Sequence, residues 1–173
     1  MINLDKFKTG DFILWANEGG FVGNTIEKHQ LKAGYSEEDA RFVHIDVSCG
    51  GPFSVRSNPP AIKMVDIREV YKGREFVVMR YLESEANPRK WARVAMWALS
   101  KSNLPYPLWD ILRMKLKFLP NNPFLFFCSE LACWSLQKEF LYALNQIHPA
   151  NCLPAEFRNV NFMTEVYRGR IDK

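Results

Sequence analysis

The chain has 173 residues, 47% of them hydrophobic and 24% charged, which is enough apolar side chain to bury a core and excludes a disordered or fibrous protein. Its formal charge of +4 comes from lysines and arginines scattered among acids, a pattern that argues against nucleic acid as a partner. We expect one domain over residues 1–173, because no internal repeat or linker divides the chain.

The first half of the chain predicts a sheet. Its clearest strand is Arg41 to Ser48, in which aliphatic residues alternate with His44, Asp46 and Ser48. Since successive side chains of a strand point to opposite faces, the three polar residues share one face. Further strands are predicted over 11–16, 53–57, 61–65 and 75–81, with short helices over 21–30 and 66–70.

The second half is mainly helical. Asn87 caps a helix that begins at Pro88 and carries an apolar stripe up to Asn103. A long helix over 125–144 places Cys128 in its first turn. The remaining predicted elements are helices over 106–118 and 154–160 and a strand over 163–168. Strands followed by helices indicate an α+β fold.

Neither a metal nor a cofactor is predicted. The four cysteines, Cys49, Cys128, Cys133 and Cys152, form no Cys-x-x-Cys pair, and we expect free thiols. No glycine-rich loop lies between a strand and a helix to cradle a nucleotide. The first residues contain no apolar leader, and no stretch approaches the roughly 18 apolar residues of a membrane span. We therefore expect a cytoplasmic protein without an integral membrane segment, secreted only if a leader was removed.

Cys128 is the candidate nucleophile. The free amides and positive dipole end at the start of a helix lower the pKa of a thiol there and can stabilise an oxyanion. Ala132 and Ser135 share the face of Cys128, so that this face can approach a sheet closely. Taken alone, a cysteine such as Cys128 is more often a small buried packing residue.

His44 is the candidate base, because its strand presents it on the polar face beside Asp46. A strand histidine by itself is more often structural. The combination of His44 with a helix-start cysteine is what indicates nucleophilic catalysis.

Several short blocks, in order, give the chain a family resemblance. It resembles the circularly permuted NlpC-like cysteine peptidases, which include the YiiX-like proteins and, more distantly, lecithin retinol acyltransferase. The blocks are Gly10-Asp11-Phe12-Ile13-Leu14, the strand with His44, Phe127-Cys128-Ser129-Glu130-Leu131, and Leu153-Pro154-Ala155-Glu156-Phe157 followed by Phe162 to Val166.

The resemblance implies a papain-like fold in which an antiparallel sheet packs against the helix that carries the cysteine. It makes Cys128 the nucleophile, His44 the general base and the backbone amide of Cys128 an oxyanion donor. Asp11 fills the Gly-Asp position of the family, where we expect it to hold the strand start or to contact substrate.

The chain departs from the family at Arg56, where a polar acceptor usually supports the histidine. Arginine cannot accept a proton from the His44 ring. Asp46, Asn58 across the hairpin, or no residue at all could take that role, and we favour Asp46 slightly. Asp46 could instead form an ion pair with Arg56. Arg56 could also bind a substrate carboxylate.

The resemblance implies a cysteine hydrolase that cleaves an amide, in a cell-wall peptide or another small amide, through an acyl-enzyme. One alternative is a lipid acyltransferase or thioesterase with an apolar channel formed by aromatic residues such as Tyr106, Trp109 and Phe124 to Phe127. The other is an inactive binding module of the same fold. The oligomeric state is not predicted.

Overall fold

The computed structural model describes residues 2–106, 126–140, 144 and 147–172. They form an α+β fold with a six-stranded antiparallel sheet and several helices, which confirms the predicted class. The helix predicted over 106–118 lies, beyond Tyr106, outside the described residues.

The strands follow the predicted positions within one or two residues. They are β1 (Phe12–Ala16), β2 (Phe42–Gly50), β3 (Phe53–Asn58), β4 (Ala61–Asp66), β5 (Glu75–Tyr81) and β6 (Met163–Arg170). The order in the sheet is β4-β3-β2-β1-β5-β6, and every neighbouring pair is antiparallel. The strand that carries His44 therefore lies inside the sheet.

The helices differ from prediction mainly at their ends. They are α1 (Phe21–Lys32), α2 (Glu37–Ala40), α3 (Ile67–Val70), α4 (Pro88–Leu99), α5 (Cys128–Glu139) and α6 (Glu156–Asn159). The helices predicted to run to Asn103 and over 125–144 are wrong in extent. Helix α5 ends because Phe140 leaves the helical region, with φ −128° and ψ 80°.

The two faces of the sheet bury different cores. Phe12, Leu14 and Ile45 belong to the larger core, which includes α4 and α5. Ile13 and Trp15, which alternate with them, belong to a smaller aromatic core with Tyr71 and other residues. Helix α5 lies against α4 and β2, and the full burial of its small residues Ala132 and Ser135 permits this close approach.

The β2–β3 hairpin fixes the position of the polar residues of β2. Pairing of these strands runs from Val47 opposite Val55 to Gly50 opposite Phe53. On the other side, His44 lies opposite Trp15 of β1. Helix α5 contacts both strands of the hairpin.

Candidate active site

Cys128 is the first residue of α5. Phe127 precedes it in an extended conformation, and the first hydrogen bond of the helix runs from Leu131 N to Phe127 O at 2.8 Å. The amides of Cys128 and Ser129 therefore have no helical carbonyl to bond to. Such amides stabilise a thiolate and can donate to an oxyanion.

Two buried hydroxyls hold this helix start in place. Ser57 Oγ donates to Phe126 O at 2.5 Å, and Ser129 Oγ donates to Cys152 O at 2.6 Å. The first bond ties the residues before Cys128 to β3, and the second ties the helix to the chain that follows it. The position of Cys128 against the sheet is thus set by long-range contacts on both sides.

His44 and Asp46 form a direct pair. His44 Nε2 lies 2.9 Å from Asp46 Oδ1. The Asp46 carboxylate is fully buried, and its other oxygen accepts hydrogen bonds from Trp15 Nε1 at 3.1 Å and Ser54 Oγ at 3.0 Å. The ring nitrogen bonded to Asp46 is Nε2, so Nδ1 is the ring nitrogen that Asp46 does not occupy.

Cys128 and His44 are electrostatically coupled. Burial alone raises the pKa of the Cys128 thiol, but the charge and hydrogen bond of His44, with the amide of Ile45, lower it below the ordinary value. Burial likewise lowers the pKa of His44, while the Cys128 thiolate and then Asp46 raise it to about 9. Because the pKa of Cys128 is lowered and that of His44 is raised to about 9, the site favours a thiolate–imidazolium pair over a neutral thiol and imidazole, with Asp46 on the other side of the ring.

Asp11 is placed for a structural role. It is fully buried, and Arg80 donates to both its oxygens, from Nε at 2.8 Å and from Nη2 at 2.7 Å. Lys8 N and Trp91 Nε1 add hydrogen bonds at 2.9 and 3.4 Å. With both oxygens occupied and no exposed surface, Asp11 is not placed to contact substrate. Gly10 before it has φ 95°, and a Cβ there would collide with the Trp91 carbonyl oxygen.

The contacts of Arg56 differ from those considered in the sequence analysis. Its guanidinium lies over the ring of Tyr71, 5.2 Å from the centroid, and not in an ion pair with Asp46. The Asn58 amide oxygen, turned toward Arg56, accepts from Nε at 3.2 Å and from Nη2. Asn58 is thus engaged by Arg56 and is not the residue that orients His44.

Sequence reasoning missed the residues that surround Asp46. Trp15 and Ser54 donate to it, and the Tyr71 ring stacks on Trp15 with centroids 3.7 Å apart and planes at 16°. The alternation of side chains along β1 and β3 predicts which face of the sheet each residue lies on. Their meeting at Asp46 depends on strand register, for which the sequence carried no separate signal.

Two other cysteines lie in the larger core together with Cys128. Cys133 and Cys152 are buried, and burial followed by a contact with Cys133 raises the pKa of Cys152. A cavity of about 430 Å³ near the first turn of α4 is lined by residues that include Lys8 and Trp91, not by Cys128 or His44. In the part of the chain that the structure describes, no group of His, Cys, Asp or Glu could hold a metal ion.

Among those same residues, no helix has the length and apolar character needed to cross a membrane. No protein-family model matches the chain, and no curated protein or solved structure is significantly similar to it.

Proposed function

We propose that this protein is a cysteine hydrolase of papain-like, permuted NlpC-like type that cleaves an amide through an acyl-enzyme. The observation that carries the proposal is the arrangement of Cys128, His44 and Asp46. A thiol at a helix start, a histidine coupled to it and a buried carboxylate on the far ring nitrogen are the three parts that this chemistry requires.

The proposed reaction has two halves. The Cys128 thiolate attacks the amide carbonyl, the oxygen takes the negative charge, and the amides at the start of α5 stabilise it. The His44 imidazolium gives its proton to the leaving amine as the carbon–nitrogen bond breaks. Water then attacks the thioester, with His44 accepting its proton, and Cys128 is released as thiolate. Asp46 keeps the ring oriented throughout.

Lipid acyl transfer, the alternative, would need open apolar space beside Cys128. Phe126 is only 8% exposed and packs edge-on against Trp97, with centroids 5.8 Å apart. Phe127 contacts Tyr106. These described rings pack against one another, and Trp109 and Phe124, also considered for an acyl channel, lie outside the described residues. The family resemblance carries the preference for amide cleavage.

The test is the pH dependence of iodoacetamide alkylation, read by intact mass and peptide mapping. We expect Cys128 in the wild type to react rapidly below pH 7, and in His44→Ala to react like an ordinary thiol. Cys128→Ala identifies the signal, and Cys133→Ala is the matched control from the same helix. If Cys128 reacts slowly and at a rate that does not depend on His44, the hypothesis of an inactive binding module is favoured.

A further inference from the structure

Trp15 of β1 is linked to both members of the His44–Asp46 pair. Its backbone lies directly opposite His44 in the β1–β2 ladder, while Asp46 lies opposite Ile13. Trp15 and Ile13 share a face of the sheet, so that the indole reaches Asp46 along the diagonal between the two strands. The indole Nε1 donates to Asp46 Oδ2 at 3.1 Å. One residue of β1 thereby ties down both polar residues of β2.

The indole of Trp15 is held by its neighbours. It is fully buried, and the Tyr71 ring stacks on it with centroids 3.7 Å apart and planes at 16°. Phe76, which lies opposite Trp15 in β5, contacts the indole with 5.6 Å between centroids. Because the surrounding core is closely packed, the direction of the N–H that Asp46 receives is fixed by these rings.

The kind of donor matters for the protons of the pair. An indole N–H can donate a hydrogen bond but cannot accept one, whereas the hydroxyl of Ser54, which also donates to Asp46 Oδ2, can rotate and do both. Donation by Trp15 therefore favours an ionised carboxylate. Oδ1 of that carboxylate then accepts from His44 Nε2, 2.9 Å away, and the proton between the two groups stays on the ring.

We propose that Trp15 is a positioning residue of the candidate site: its indole N–H holds Asp46 so that Nε2 of His44 carries a proton, which leaves Nδ1 for proton exchange with Cys128. The inference rests on the proposed function for its catalytic meaning only. Trp15 acts through Asp46 and His44. From β1 it supplies the support that Arg56, on β3, has no acceptor to give.

The titration of His44 reports this role. Burial lowers the pKa of His44, while the Cys128 thiolate and then Asp46 raise it to about 9. The other titratable ring beside it is that of Tyr71, 6.2 Å away between centroids. None of these three titratable neighbours is replaced in Trp15→Phe, so that a changed pKa of His44 in this variant measures the hold on Asp46.

A purely structural role for Trp15 is the alternative. In that case Asp46 serves only to satisfy a buried indole N–H, and Trp15 matters for stability alone. Loss of the N–H would then lower the melting temperature and leave the titration of His44 where it is. The two roles differ in the pH midpoint of His44, which packing by itself does not move.

The experiment is an NMR titration of the His44 ring signals, with alkylation of Cys128 at pH 6 measured on the same samples. In Trp15→Phe we expect the His44 midpoint to fall by about half a pH unit and alkylation to slow about threefold. Phe76→Leu is the matched control, because Phe76 is fully buried in the same core and its side chain has no hydrogen-bond donor. The control should lower the melting temperature and leave both readings unchanged.

A second variant keeps the test decisive if Trp15→Phe does not fold. Trp15→β-(3-benzothienyl)alanine keeps the size and stacking of the ring and replaces only the N–H by sulfur. A synthetic peptide 1–48 that carries it can be ligated at Cys49 to residues 49–173, which gives the full chain. We expect the same fall in the His44 midpoint as in Trp15→Phe.

The outcomes separate this role from the proposed catalysis. An unchanged His44 midpoint in a folded Trp15 variant, or an equal fall in Phe76→Leu, would overturn the positioning role. If Cys128 reacts as a thiolate but the His44 midpoint does not depend on Trp15, the inference is wrong and the hydrolase stands. If the midpoint depends on Trp15 but Cys128 behaves as an ordinary thiol, Trp15 positions the pair in a protein that is not a hydrolase.

Discussion

Two aspartates of the sheet region are equally buried and differ in the partner that balances their charge. Asp11 is held by both arms of the Arg80 guanidinium, and hydrogen bonding to Asp11 raises the pKa of Arg80. Asp46 is held by two neutral donors and by His44, which can lose its proton. A permanent cation makes Asp11 a structural anchor, whereas the partner of Asp46 can lose its proton, as the proposed proton transfer requires.

The largest effect should come from breaking the anchor. Asp11→Asn leaves Arg80, whose side chain is 12% exposed, without its counter-charge, and we expect a loss of about 3–5 kcal/mol in the free energy of unfolding. Urea denaturation measures it. The control is Asp66→Asn, because the Asp66–Arg68 pair is half exposed on its arginine side and should contribute much less to stability. Equal losses in the two variants would contradict the structural role of Asp11.

Replacing Asp46 should instead affect the reactivity of Cys128. Asp46→Asn keeps the shape of the side chain but removes the charge that supports the His44 imidazolium. The charge of Asp46 itself raises the pKa of Cys128, but the opposite effect of the His44 charge is larger. Weaker protonation of His44 should therefore raise the pKa of the Cys128 thiol, and alkylation at pH 6 should slow about tenfold for each pKa unit. Folded Asp11→Asn protein should alkylate at the wild-type rate. Slower alkylation in Asp11→Asn together with an unchanged rate in Asp46→Asn would contradict this comparison.

The pH dependence of the proposed activity follows from the fact that His44, the partner of Asp46, can lose its proton. The thiolate–imidazolium pair forms above the lowered pKa of Cys128 and is lost as pH rises through about 9, when His44 releases its proton. Amide hydrolysis should fall to half its plateau near pH 9, because the imidazolium is the acid for the leaving amine. The stability that His44 contributes is fully present below pH 6.5 and is lost over the same alkaline range. The His44 signals in an NMR titration should locate that loss, and a midpoint near 6.5 would contradict the coupling.

The smallest expected effects distinguish two buried serines. Ser54→Ala removes one of the donors to Asp46, while Ser57→Ala removes the bond to Phe126 O. Each should lower the free energy of unfolding by about 1 kcal/mol. We expect Ser54→Ala to change alkylation of Cys128 at pH 6 about twofold through Asp46, and Ser57→Ala to act through the position of the helix start. Thermal melts and alkylation rates on the same samples separate the two roles.

The alternation of β2 was readable from the sequence because strand geometry alone decides it. Ile45 and Val47 join the larger core, and His44 and Asp46 share the opposite face, as predicted. The sequence analysis placed Cys128 in the first turn of its helix, and the structure makes it the first residue of α5. The roles of these residues in catalysis stay predictions, although the structure brings them together.

Other features depend on contacts between distant parts of the chain. The partner of Asp11 is Arg80, 69 residues away, and several other arginines would have served equally well on sequence grounds. The neighbours of Asp46 depend on how β1, β2 and β3 are aligned. The end of α5 at Glu139 has no glycine or proline to mark it, and the apolar pattern alone continued the helix too far.

The bond from Ser57 to Phe126 spans 69 residues and has a consequence for how the protein acquires reactivity. Contacts this far apart form late, because a long loop must close before they contribute. Until β2 and β3 are paired and α5 lies against them, Cys128 has neither His44 nor the Ile45 amide beside it and remains an ordinary thiol. On the proposed function, Cys128 becomes reactive only when the fold is complete, so that the fast-reacting fraction of Cys128 should measure the native fraction of a refolding sample.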